Sequence, residues 1–412
     1  MTIRKTKKKV EKQLSSQEPD WVDEMNQAID SLSENRTSIR EEALKTMIKS
    51  FSNHLVSAHI ENRLEMILGL LKRSITKYGS SKEACLAAQT VNLVFMHITE
   101  EVSETDQDDL YRRILPCLKL TVKESDDIEL KIKCLKTLGL ITYTSASDID
   151  KQLVRDYIFD LIETDGIDFN TEALQPHDCD RFLAEALCCY GILFAASFSQ
   201  GVVSFDAVWS EVEKVMPIHE IMLESSDNSV RIASGENIGL IFETIRLFTK
   251  DDGDNNDSTT TRLEYDNMDG LIHTLKNLSI ESSRYKGKSE RVEQKSVFRE
   301  VFKSVEQNER PKEDLKIGNR TLVFKGWAKI LVLNAFRKSL GQGLQFHLKS
   351  NSLVKDIFRY SFISDDDDSE KYDILALSNV DKHYIYDENK KARSKYLRGA
   401  RLGKENQEFK VA

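Results

Sequence analysis

The sequence predicts an all-α fold, a solenoid of stacked helix pairs followed by a small helical module and a basic tail, on three observations. Only 17 Gly and 5 Pro interrupt 412 residues, and long runs of helix formers lack the alternation of a half-buried strand. A loose motif recurs late in successive apolar segments: Met47 to Phe51 (MIKSF), Val91 to Phe95 (VNLVF), Leu138 to Thr142 (LGLIT), Tyr190 to Phe194 (YGILF) and Ile238 to Phe242 (IGLIF). Its spacing of 44 to 52 residues is slightly longer than the HEAT and armadillo period. Each unit also opens after residues able to cap a helix: Thr37-Ser38, Ser80-Ser81, Asp126-Asp127, Asp178 to Asp180 and Asp227 to Ser229.

Composition bounds the rest. Hydrophobic residues at 40% and charged residues at 31% suit two or three structural units with a sizeable core. A net charge of -9 argues on average against a polyanionic partner. The cations, however, gather at the ends: Arg4, Lys5, Lys7, Lys8, Lys9 and Lys12 at the start and Lys390 to Lys404 near the finish, the form a polyanion-binding tail takes on an acidic body. Cys85, Cys117, Cys134, Cys179, Cys188 and Cys189 follow no framework spacing and read as reduced core residues of an intracellular protein. The N-terminal charges precede no apolar leader, and no run of about 18 uncharged apolar residues is seen, so neither secretion nor a membrane span is expected.

In chain order, residues 1–19 read as a disordered basic tail. Residues 20–250 form the helical repeats, in which small residues such as Ala84, Ala87, Ala88, Ala184, Ala186, Ala233, Ser234 and Gly235 let neighbouring helices approach. The expected result is a scaffold whose concave face offers a binding surface. Residues 251–262 (from Asp251, DDGDNNDSTTT) read as an acidic linker; a calcium loop fails there, because Asp257 stands where such a loop needs glycine. Residues 263–364 continue the helices and include a cationic stretch, Arg284, Lys286, Lys288, Arg291 and Lys295, read equally as phosphate contacts or as a solvated helix start.

From Gly326 to Phe358, Trp327, Ile330, Leu331, Leu333, Phe336 and Leu340 keep helical spacing until Gly341 and Gly343. The pattern predicts a helix, a glycine turn and a second helix from about Gln345. Trp327 reads as a core anchor among Val323, Phe324, Ile330 and Leu331. His347 reads as a helix-start residue bonded to the preceding turn, ahead of any catalytic or ligand role. Asp365 to Asp368 then open a last region, 365–412, an acidic loop followed by a basic tail. Lys390, Lys391, Arg393, Lys395, Arg398, Arg401 and Lys404 occur there without an acid among them, with Tyr384, Tyr386 and Tyr396 interleaved. Cations for phosphates and planar groups for unpaired bases suit RNA, and Gly399 and Gly403 suit order only in a complex.

Trp327, the Leu340-Gly341-Gln342-Gly343 turn, His347-Leu348, Asn351, Leu353, Val354, Ile357 and Phe358, preceded by KGKSERVEQKSVFREV from Lys286 to Val301, resemble the C-terminal signature of the interferon-related developmental regulator family. Lys391-Ala392-Arg393-Ser394-Lys395 is similar to the basic C-terminal helix of its members. The resemblance implies armadillo-like repeats and association with ribosomes that are not translating, the basic helix entering the path of mRNA and tRNA. The present segment is shorter and meets Glu405 and Glu408. Ribosomal RNA and proteins are then the expected partners, with Tyr396 and the seven cations as contacts and a cytoplasmic location. A transcriptional co-regulator with protein partners and a nuclear pool is the alternative, and a solenoid adaptor without nucleic-acid contact a third.

No His-x-Glu, Cys-x-x-Cys, Walker loop or Gly-x-Ser-x-Gly pattern occurs. The reading is therefore non-enzymatic, with no cofactor, metal or small-molecule substrate.

Overall fold

The motif segments become the second helix of each of five consecutive hairpins. In the computed structural model the described residues are 20–77, 79–98, 102–171, 174–199, 203–249, 265–280, 288–317 and 320–358. The first pair is α1 (Asp20–Ser31) with α2 (Thr37–Asn53); then follow α3 (Leu64–Thr76) with α4 (Ser81–Phe95) and α5 (Glu104–Glu124) with α6 (Ile128–Ser145). The pairs α7 (Asp148–Glu163) with α8 (Pro176–Phe198) and α9 (Phe205–Leu223) with α10 (Asn228–Thr249) continue the series. A sixth pair, α11 (Met268–Ile280) with α12 (Lys288–Gln307), extends it. Members of each pair touch, and each second helix touches the next, α2 to α4 and onward to α12. The all-α solenoid read from the sequence is what the chain forms, and its described residues up to Val354 make one compact unit.

The inner second helices of the row are the core, because apolar residues there surround the helix instead of marking one stripe. Leu130, Cys134, Leu135, Leu138, Leu140 and Ile141 of α6 are all buried, as are Phe182, Leu187, Tyr190, Leu193 and Phe194 of α8. Helix α8 is long and apolar enough to cross a membrane, contrary to the expectation that no span would be found. Its apolar surface is met instead by α6, α7, α10 and the C-terminal module.

Capping came out as expected in three of the five places. Ser80 accepts from the Glu83 amide, Asp127 from those of Glu129 and Leu130, and Asp227 from those of Ser229 and Val230. The other two differ. Arg36 precedes α2 without a side-chain cap, and α8 starts at Pro176 behind Gln175, so Asp178 lies inside the first turn, since proline already fits the first helical position.

A device not read from the sequence joins alternate repeats. Arg40, Lys131 and Arg231 each sit at the fourth position of a second helix, almost fully buried. Each donates to two backbone oxygens at the end of the preceding first helix or just beyond it: Glu34 and Asn35, Val122 and Lys123, Ser225 and Ser226. Each then reaches forward along the solenoid: Arg40 to the Glu83 carboxylate at 2.6 Å, Lys131 to the Phe169 carbonyl at 2.6 Å and Arg231 to Gln294 at 2.9 Å. A cation there satisfies carbonyls that a helix end leaves unpaired.

The region expected to be wholly helical contains a hairpin. Strands β1 (Lys312–Ile317) and β2 (Arg320–Lys325) pair antiparallel, Lys312 opposite Lys325 and Ile317 opposite Arg320. Alternation of Leu315 and Ile317, then Leu322 and Phe324, about the Gly318-Asn319 dipeptide is the signal that could have found it. Helix α13 (Trp327–Leu340), a 3-10 turn (Gly341–Gly343), α14 (Leu344–Ser350) and α15 (Ser352–Phe358) complete the described chain.

Candidate functional site: a strap across the repeat row

The C-terminal module does not extend the solenoid. It runs back along the second helices, α13 against α10, α8 and α4, and the glycine turn and α14 against α2. The row of second helices is therefore covered here by the chain itself. Sequence pattern could not show this, because apolar periodicity says that a helix is buried and not against what.

Glycines in the recurring motif make room for the strap. A Cβ on Gly239 would come 2.6 Å from the indole nitrogen of Trp327, and one on Gly191 would come 3.3 Å from Leu331 and closer still to Asn237. The indole Nε1–H donates to the Ser304 hydroxyl at 2.9 Å. Trp327 is 2% exposed, so the anchor read from the sequence is observed, with Phe324, Ile330 and Leu331 buried around it.

Gly326 at the start of α13 has φ of 96° and no side chain to cap with. Glu243 of α10 does so from outside, accepting from the Trp327 amide at 2.8 Å. Burial raises the Glu243 carboxyl, while that amide and the charges of Arg310 and Arg246 lower it. Midway, Asn92 of α4 donates to the Ser339 hydroxyl at 2.7 Å.

At the far end two buried histidines meet on one carbonyl. His347 Nε2 and His97 Nε2 lie 3.0 and 2.9 Å from the Phe51 oxygen, near the C-terminus of α2, where a helix leaves carbonyls unpaired. The Nδ1 of His97 faces the Val56 amide at 3.5 Å, and that of His347 faces the Asn351 amide group at 3.2 Å. Asn351 also donates to the Met96 carbonyl and accepts from the Val354 amide. Every nitrogen is committed, and only neutral imidazoles fit the pattern. Burial pulls His97 down to about 4, the nearby His347 adding to the fall, and it lowers His347 likewise.

The expected bond from His347 to its own turn is thus replaced by one to a residue near the other end of the solenoid. Asn351 explains a second difference: it caps α15 and adopts extended backbone, so the single expected helix is two.

Gly343 lets the turn touch α2. A Cβ there would stand 1.9 Å from the Ser52 carbonyl oxygen, backbone that cannot give way. Gly343→Ala is expected to destabilise by about 1–3 kcal/mol, measured by urea unfolding. An unchanged midpoint would mean that the turn lifts freely.

Of the remaining signature residues, Gly341 is exposed with φ of 54°, Asn351 is buried and Phe358 is 2% exposed. Lys288 and Arg291 belong to α12, and Lys295 on it is half-exposed. Arg284 and Lys286 lie outside the described residues, as do Lys390, Lys391, Arg393, Lys395, Tyr396, Arg398, Arg401 and Lys404 and the regions 1–19, 251–262 and 365–412. Among the described residues no group of three or more His, Cys, Asp or Glu could hold a metal ion. An open cleft of about 380 Å³ between α9 and α11, lined by Pro217, Glu220, Tyr265 and Asn267 among others, lies apart from the strap.

The profile of the Interferon-related developmental regulator (IFRD) family matches residues 2–306, a span that ends before the hairpin and strap. Interferon-related developmental regulator 2 of Mus musculus is 24% identical over 351 residues, 83% of this chain and 74% of that protein. Interferon-related developmental regulator 1 of Homo sapiens is 22% identical over 335 residues, 80% of this chain and 69% of that protein. An uncharacterized protein of Schizosaccharomyces pombe is 23% identical over 353 residues, 83% of this chain and 75% of that protein. Among solved structures, an engineered protein gives a TM-score of 0.40 at 13% identity, covering 70% of this chain and 98% of that one.

Proposed function

Because the chain belongs to the interferon-related developmental regulator family, we propose that it is a non-enzymatic, cytoplasmic factor that binds ribosomes which are not translating. In this reading the strapped solenoid docks, and the basic C-terminal segment occupies the mRNA and tRNA path, so that translation is repressed or idle ribosomes are preserved. The observation that carries it is the stretch from Lys390 to Lys404, seven cations and no acid on a chain of net charge -9. Such a segment is repelled by little and attracted by a channel walled with phosphates.

The strap bears on the alternative. A transcriptional co-regulator holding protein partners along its second helices would need surface that α13 and α14 already cover. The ribosomal reading needs only a rigid body and a free basic end.

Cosedimentation of the full chain with empty and with translating ribosomes over a salt series tests the reading, against a chain shortened after Asn379. Binding to empty ribosomes that weakens with salt and falls at least tenfold on shortening is the expected result. Equal binding by the two chains, or none by either, would discard the tail mechanism.

A further inference from the structure

Between Arg310 and Lys355 the sequence holds ten Lys or Arg against two acids, Glu313 and Asp314. That is the reverse of the chain's overall balance, and it falls on the hairpin and strap.

The fold turns this bias into a surface. Strand alternation buries Ile317 and Phe324 and exposes Lys312, Lys316, Thr321 and Lys325. The register sets Lys312 directly opposite Lys325, a like-charge pair that weakens a hairpin. Asp314 pairs with Lys312 at 3.2 Å, but Lys316 and Lys325 have no acidic partner among the described residues.

The strap adds exposed cations of its own. While Trp327, Leu331, Leu333, Phe336, Leu340, Leu344 and Leu348 face protein, Lys338, Gln342, Gln345 and Lys349 are exposed. Lys338 stands 4.0 Å from Glu185 at the edge of α8; Lys349 has no acidic partner among the described residues. No Asp or Glu occurs between Asp314 and Asp356, so nothing negative on the strap interrupts the ridge. The 14 residues of α13 alone give it about 20 Å of length.

We propose that the hairpin and the outer edge of the strap, through Lys316, Lys325, Lys338 and Lys349, form a second contact surface for the phosphate backbone of RNA. The proposal deepens the ribosome-binding reading and rests on it. These four cations are lysines, flexible point charges suited to spaced phosphates; paired recognition of carboxylates favours the rigid fork of arginine. The neutral donors Gln342 and Gln345 lie between them. Neither lysine nor glutamine reads base identity in this arrangement, so the surface takes RNA of any sequence.

Two measurements on the full chain test this with a duplex RNA oligonucleotide of arbitrary sequence as probe. Lysine acylation read by mass spectrometry, with and without the RNA, should show protection at Lys316, Lys325 and Lys349. The K316A/K325A/K349A variant, with an unchanged melting temperature, should lower the slope of log K against log salt by about 3. Protection confined to Lys390, Lys391 and Lys395 would overturn the ridge and leave the tail reading standing. No RNA binding by the full chain would remove both. Protection of the ridge by polyglutamate and not by RNA would overturn the phosphate assignment in favour of an acidic protein.

Discussion

Replacing Trp327 by alanine is expected to lower stability by about 3–5 kcal/mol, a large share of what holds a domain folded. The indole is 2% exposed, presses on the backbone at Gly239 and donates to Ser304. Alanine would leave a cavity among α10, α12 and α13 and an unpaired hydroxyl. The loss should appear as a lower urea midpoint. Hydrogen exchange should show where it acts: amides of α13 and α14 should open before those of α6, since the strap is tied at Trp327 and at the histidines. Global unfolding at an unchanged midpoint would mean that Trp327 anchors nothing.

Acidification supplies the second large effect. Burial holds His97 and His219 at about 4, below the ordinary value near 6.5. Unfolded chains therefore bind protons first, and each histidine contributes stability that is complete above about pH 6.5 and lost as the pH falls toward 4. The loss is about 1.4 kcal/mol per histidine at pH 5.5 and about 2.5 kcal/mol at pH 4.5.

Glu236 acts in the opposite sense. Burial raises its carboxyl to about 7, so the folded chain takes up a proton there first and gains stability as the pH falls. The contrast between the wild type and an H97Q/H219Q variant removes that contribution. Glutamine keeps a donor for Phe51 and carries no titrating group, so the variant should lose less stability than the wild type between pH 7.5 and 4.5, by about 5 kcal/mol in urea unfolding. Parallel acid limbs would show that these rings are not held neutral by the fold.

The repeats were legible because their signal is local. A second helix buried on all sides must be apolar all round, and the motif from Val91 to Ile238 recurs on the helices of that kind. Ser80, Asp127 and Asp227 could be read as caps because a cap bonds within three residues of itself. Trp327 could be read as an anchor because its apolar neighbours are close in sequence. The hairpin was also legible in principle, from alternation about Gly318-Asn319, but it is short and set among helices.

The strap's partners were not legible. His347 and Phe51 lie 296 positions apart, and Asn351 and Met96 lie 255 apart. No periodicity within either segment specifies the other. Arg40, Lys131 and Arg231 show the same limit, for a buried cation can be justified only by the carbonyls that surround it.

By itself the sequence determined the helix class, the repeat spacing, the glycine-turn module and the concentration of charge, all set by backbone propensity and by apolar spacing over one or two turns. Tertiary structure alone decided that the module folds back over the repeats, that its histidines stay neutral on the carbonyl of Phe51, and that its lysines face outward. Those outcomes depend on burial and on hydrogen bonds closed between distant residues, and such terms exist only once the chain has brought its ends together.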